Sequence, residues 1–235
     1  MIKKGIFLIL LCEACNLSSD DFYSVFSVAF NFSDDPMGWT GDFADYPQGD
    51  SVLYELLFKH DTLPENLNNT GNRKALILEG KNYSDDLFMF IKRKIAGLKP
   101  NTRYAVLFNI QLASNAPTGA AGIGGAPGES VFLKAGMTNT EPMKILDEGF
   151  YRMNIDKGNQ AEGGADMITL GHIGVAANTT QYTVIFRSNS SANPFIFQTN
   201  SSGEAWIIVG TDSGFEGKTR LYYMGMNILF NEITN

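Results

Sequence analysis

The sequence predicts an all-β protein: a single jelly-roll-like sandwich of two antiparallel sheets, with few or no helices. Three observations carry that prediction. Apolar and polar residues alternate with period two along most of the chain, the pattern of strands that bury one face. Amphipathic stretches of helical period are missing between those strands, so the crossover helices of a parallel sheet are not supplied. The connecting segments are rich in Gly, Asn, Asp, Ser and Pro, and no fixed-period repeat suggests a propeller or solenoid.

The chain begins with Lys3-Lys4 and a seven-residue apolar run, Gly5 to Leu11, too short to span a bilayer, which takes ~20 residues. Ala14 precedes Cys15, and a polar, acidic stretch, Asn16 to Asp21, follows. Residues 1–14 are therefore expected to be a signal peptide, 15–23 a modified cysteine with an acidic tether, and 24–235 the sandwich. The segment resembles a bacterial lipobox, although Cys12 stands where leucine is usual and Glu13 is an uncommon neighbour. That resemblance implies lipidation at Cys15 and a cell-envelope, outer-membrane location, and the acidic tether is similar to signals that lead to the cell surface. An ordinary cleaved secretory signal is the alternative.

Within the domain the expected strands cover residues 24–32, 52–58, 75–79, 87–95, 103–113, 130–135, 151–155, 167–170, 182–187, 195–198, 205–209 and 219–230. The clearest is 103–113, where Tyr104, Val106, Phe108, Ile110 and Leu112 share one face. In 24–32 the shared face is Phe26, Val28, Phe30 and Phe32. Residues 114–129, with five glycines, read as a long mobile loop.

Composition excludes several functions. A hydrophobic content of 44% is ample for a core, and a net charge of −7 with no basic cluster beyond Lys92-Arg93-Lys94 leaves no footprint for nucleic acid. Cys12 and Cys15 are the only cysteines, so beyond residue 15 there is no disulfide and no thiolate site. His60 and His172 stand in no metal-ligand spacing, and neither a G-x-S-x-G elbow nor a phosphate loop is present.

Gly97-Leu98-Lys99-Pro100-Asn101-Thr102-Arg103-Tyr104 resembles a turn-to-strand phrase of extracellular sandwich modules. Residues 206–230 resemble the closing strands of carbohydrate-binding-module-like jelly rolls. The whole chain looks like a family of uncharacterised Bacteroidetes-type secreted lipoproteins, through phrases such as 84–90, 127–131 and 154–160. The resemblance implies a fold and a location and transfers no catalytic residue.

Three constellations are candidates for function. Asp34, Asp35, Asp42 and Asp45 crowd one loop, and oxygen ligands of that kind suit a structural calcium ion. Trp39 and Tyr46 in the same loop are candidate platforms for sugar stacking, with a packed loop plug as the other reading of Trp39, whereas Trp206, in an apolar strand, reads as core. A polar cluster on one sandwich face, built from Lys92, Glu129, Lys157, Asn159, Gln160 and Asp212, is the alternative to a structural ion pair of the basic triplet. Lys92, Arg93 and Lys94 need partners, for which Glu129, Asp156 and Asp212 are candidates. The leading reading is a non-catalytic binding module of the cell envelope, anchored to the membrane by lipid only, with a glycan as ligand. A structural or assembly lipoprotein that binds other proteins is the alternative, and a glycan-degrading hydrolase with paired carboxylates is third. Exposed Trp39 and Tyr46 would favour sugar; buried, they would favour the structural reading.

Overall fold

The computed structural model describes residues 25–69 and 71–234. The expected signal peptide, Cys15 and the tether to residue 23 lie outside the described residues. Fifteen strands follow in chain order: β1 (Val25–Asn31), β2 (Thr40–Ala44), β3 (Tyr46–Pro47), β4 (Leu57–Thr62), β5 (Lys74–Lys81), β6 (Leu87–Ile95), β7 (Arg103–Ser114), β8 (Val131–Thr138), β9 (Lys144–Asp147), β10 (Phe150–Met153), β11 (Met167–His172), β12 (Thr183–Ser188), β13 (Phe195–Gln198), β14 (Ala205–Ser213) and β15 (Lys218–Glu232). Helix is limited, among the described residues, to one 3-10 turn at Glu65–Leu67.

Two antiparallel sheets make the sandwich. Sheet A runs β12-β7-β15-β5-β4, with β1 added to β15 and β13 to β7. Sheet B runs β11-β8-β14-β6-β2. The chain switches sheet at each step from β5 through β8, so sequence neighbours face one another across the core in the jelly-roll manner. A small third sheet, β3-β10-β9, lies beside β2.

The alternation dictates which residues meet. Tyr104, Val106, Phe108, Ile110 and Leu112 of β7 turn inward, as do Phe30 and Phe32 at the end of β1. Leu87, Met89 and Ile91 of β6 and Ile207 and Val209 of β14 meet them from sheet B. Phe30 and Phe32 both pack edge-on against Trp39, at ring distances of 5.2 and 6.0 Å.

Two expectations fail. Residues 51–55 form turns, and β4 starts only at Leu57; Val52 is 87% exposed. That stretch is apolar without alternating, and a left-handed Glu55 (φ 51°) separates it from the strand. The 114–129 segment is tied down by its backbone. Thr118 and Val175 donate to Val175 and Ala116 carbonyls, Glu216 N donates to Ile123 O, and Gly119 N donates to the Glu129 carboxylate.

Candidate functional site

The outer face of sheet B is covered, and the cover makes the site. Phe88 and Phe90 of β6 stack on that face, beside Ala44, Ile208 and Met167, under Met153 and Ile155. From there residues 154–166 run back over β8 and β14. Gly136 of β8 is where they come closest: a Cβ there would lie 1.8 Å from Asp166 O, so only glycine lets the backbones approach. The segment also ties itself together. Asp156 accepts from Gly158 N at 3.0 Å and Ala165 N at 2.8 Å, while Asp166 accepts from Asp156 N at 2.8 Å.

Beneath this segment lies an ionic cluster. Lys134 of β8 and Asp212 of β14 are both fully buried, with Lys134 Nζ 3.0 Å from Asp212 Oδ2. The Lys134 ammonium has two further acceptors, Lys157 O at 2.9 Å and Glu162 O at 2.8 Å. Three donors for three acceptors is what a buried ammonium requires. Asp212 Oδ2 also accepts from Lys157 Nζ at 2.8 Å and Gln160 N at 3.0 Å. Sheet and covering segment are thus joined by charge.

Lys157 extends the cluster outward. Its Nζ sits 3.1 Å from Asp45 Oδ2, an ion pair without hydrogen-bond alignment, and 3.8 Å from Asp86 Oδ1. Arg152 of β10 lies 3.6 Å from Asp45 Oδ1 and from Asp86 Oδ2, with its guanidinium over the Phe150 ring. Three carboxylates therefore face three cations. Burial raises the Asp45 carboxyl despite Lys157, and raises Asp86 to about 6, with Asp45 and Asp212 adding to the effect against Lys157 and Arg152. Burial lowers Lys134, opposed by Asp212. For Lys157 burial acts the same way, but Asp212, Asp45 and Asp86 together outweigh it and leave the pKa raised. Asp156 is held low by its two backbone donors, Ala165 and Gly158.

The outer end of the cluster opens to solvent as a pocket of about 330 Å³, lined by Asp45, Asp86, Arg152, Met153, Ile155, Asp156, Lys157, Gly158 and Asn159. Arg152 is the exposed cation here, with a side chain 44% accessible and no guanidinium hydrogen bond among the described residues.

Of the six residues named for a polar cluster on one face, Lys157, Gln160 and Asp212 join here, and Asn159 lines the pocket. Lys92 does not: it donates to Glu141 Oε1 at 2.6 Å and Pro142 O at 2.7 Å, near the Trp206 ring. Glu129 instead holds the glycine-rich loop. The partners expected for the basic triplet also differ. Lys94 pairs with Glu204, and Arg93 donates to Met37 O.

The aromatic platform is corrected outright. Trp39 and Tyr46 are each 3% exposed. Trp39 plugs the core beside Phe30 and Phe32, and Tyr46 packs between Tyr54 and Tyr151. Trp206, expected in the core, instead stands half-buried on the outer face of sheet B, outside the core clusters. The four aspartates expected around a cation take separate partners. Asp42 pairs with Lys144 at 2.8 Å, Asp45 with Lys157, and Asp35 accepts from Met37 N, while Asp34 is exposed. Among the described residues no group of three or more His, Cys, Asp or Glu side chains is arranged to hold a metal ion.

Sequence reasoning missed Asp86, Arg152 and Lys134. Lys134 carried the readable signal, a lone lysine within an apolar strand, which needs a buried partner. Asp86 and Arg152 carried none, because both belong to ordinary turn and strand patterns.

No protein-family model matches the chain, and no curated protein does. Solved structures give distant likenesses. One is the cleaved K1 adhesin domain of Lys-gingipain from Porphyromonas gingivalis W83, at 10% identity and TM-score 0.40, over 89% of this chain and 99% of that one. Another is a putative sugar binding protein from Bacteroides thetaiotaomicron VPI-5482, at 11% identity and TM-score 0.39, over 83% and 88%. A third is the enzymatically active domain of bacteriophage CBA120 tailspike protein 4, at 11% identity and TM-score 0.35, over 83% of this chain. This chain spans only 19% of that tailspike's length. At these scores the likenesses assign neither a family nor a ligand.

Proposed function

We propose that the domain is a non-catalytic binding module that takes a neutral, hydroxyl-rich ligand, a glycan, in the Asp86–Arg152 pocket. The observation that carries this reading is the guanidinium of Arg152, without a hydrogen bond among the described residues and set 3.6 Å from Asp86 Oδ2 at an open pocket. A carboxylate and a guanidinium fixed side by side match two adjacent sugar hydroxyls. One hydroxyl donates to Asp86, and its neighbour accepts from Arg152. The Asn159 amide adds a donor and an acceptor, while Met153 and Ile155 supply apolar wall. Charge balance within the cluster favours a neutral ligand over an ionic one.

A hydrolase needs two carboxyls facing each other across the substrate. Asp45 and Asp212 face Lys157, and both oxygens of Asp156 are occupied by backbone donors. Asp86, like Asp45, is paired with Lys157 and Arg152, and this use of the carboxylates in ion pairs supports binding over turnover. The setting we propose is the cell envelope, with Cys15 lipidated in the outer membrane. Palmitate incorporation that is abolished in Cys15→Ser tests the anchor. A second reading, an assembly lipoprotein that contacts other proteins, is favoured by the burial of Trp39 and Tyr46.

The test is a screen of the full chain against neutral and acidic glycans, with Arg152→Ala and Asp86→Asn alongside. The expected result is binding to neutral glycans that both variants lose while staying folded, with Asp86→Asn melting no lower than the parent at neutral pH. No glycan binding at all, or binding that both variants retain, defeats the proposal.

A further inference from the structure

The outer face of sheet A, on the far side of the molecule from the pocket, has two unlike halves. One half lies under the chain itself: Ala75, Ile77, Tyr222 and Met224 pack beneath Leu63 and Tyr182. The other half, built from β1, β15 and β7, carries no covering segment among the described residues. Strand register fixes what it presents. Val25 pairs with Asn231, which pairs with Ala105; two residues along, Ser27, Leu229 and Leu107 form the next row, and the rows repeat to Asn31, Gly225 and Gln111.

The residues that point away from the core are thus the odd-numbered ones of 25–31, 225–231 and 105–111. All twelve are uncharged, being aliphatic, amide, Ser, Ala or Gly. An ordinary soluble surface carries about 25–35% charged residues, so about three or four would be expected among twelve. Exposed Ile196 of β13, level with Ala105, and exposed Phe186 of β12, level with Gln111, extend the same face without charge.

We propose that this uncharged half is where a second copy of the chain packs, face to face about a two-fold axis. The chain carries a net charge of −7, so most contacts between copies bring like charges together, and this face is one that does not. Its chemistry is also self-complementary. Each Asn or Gln amide both donates and accepts, so Asn109 and Asn227 can pair with the same residues of another copy, while Leu107 and Leu229 meet aliphatic neighbours. Strand rise and spacing give a footprint of roughly 20 Å by 15 Å. That is well short of the ~800 Å² per partner of tight complexes, so the dimer is weak and forms at high local concentration. The pocket, on the opposite sheet, stays open in it.

The test is sedimentation equilibrium of the full chain over a wide concentration range, beside Asn109→Asp/Asn227→Asp. That change keeps side-chain shape and places like charges at the centre of the face. The expected result is a mass rising from one copy toward two. The double variant is expected to weaken association at least tenfold, with recovery at high salt through screening; the two aspartates face each other across β7 and β15, so a small loss of melting temperature accompanies a retained fold. Exposed Gln181→Glu, outside the face, is expected to change nothing. A single-copy mass up to ~1 mM, far above a micromolar dissociation constant, overturns the proposal. So does a dimer that the double variant leaves intact, because it would use another surface.

Discussion

Lys157 and Asp212 meet at 2.8 Å beneath the 154–166 segment, one on the segment and the other on the outer face of β14, 55 positions apart in sequence. The same Asp212 oxygen accepts from Lys134, so one buried carboxylate joins sheet B to the chain that covers it. The stability of the pocket rests on that carboxylate.

Asp212→Ala is therefore expected to be among the most damaging substitutions. It leaves Lys134 wholly buried, and Lys157 nearly so, without their shared counter-ion, a loss of about 3–5 kcal/mol for a broken buried pair. Urea unfolding measures it. A loss under ~1 kcal/mol, the size of a surface ion pair, would show that the cluster does not hold the cover in place.

The pH dependence of stability follows from Asp86. Its folded pKa, about 6, lies above the ordinary value of 3.8, so the folded state binds the proton more tightly than the unfolded chain. Its ionised form weakens the fold at neutral pH, and that penalty lifts as pH falls through about 6 toward 4. Asp45 is shifted in the same direction and reinforces the trend. Asp86→Asn is expected to reduce the gain in melting temperature between pH 7.5 and pH 5. Equal gains in the variant and the parent would contradict this.

Two core hydroxyls, those of Tyr223 and Thr211, approach each other without a hydrogen bond of good geometry, and neither has another partner among the described residues. An unsatisfied buried hydroxyl keeps its desolvation cost of about 1–3 kcal/mol. Tyr223→Phe should therefore leave stability unchanged or raise it slightly in chemical denaturation. A clear loss would reveal a working hydrogen bond.

Trp39 separates packing from binding. Trp39→Ala opens a cavity beside Phe30 and Phe32 and is expected to cost about 3–5 kcal/mol. Trp39→Phe keeps most of the packing and should leave glycan binding at its parent level, measured by titration calorimetry. If Trp39→Phe lost binding while staying folded, the ligand would have to reach the tryptophan.

Much of the fold is legible in the residue order, because alternation is local information. The run Tyr104, Val106, Phe108, Ile110 and Leu112 names its own buried face whatever it packs against. The same logic fails at Val52–Leu53, where apolar residues follow one another and no face can be assigned. It also fails at Trp39, whose Gly- and Asp-rich surroundings resemble an exposed loop. Burial there is decided by Phe30 and Phe32 arriving from β1.

The sequence by itself determined the all-β class and most strand positions. It also confined the only cysteines to residues 12 and 15 and grouped Lys157, Asn159, Gln160 and Asp212, though together with Lys92 and Glu129, which lie elsewhere. Only the tertiary structure decided which charges meet. Lys134, Asp212, Lys157, Asp45, Asp86 and Arg152 come from three strands and three connecting segments, and their proximity depends on strand order and on the path of residues 154–166. Alternation reports which way a side chain points, one residue at a time. An ionic cluster depends on distances between remote segments, and no local pattern encodes those.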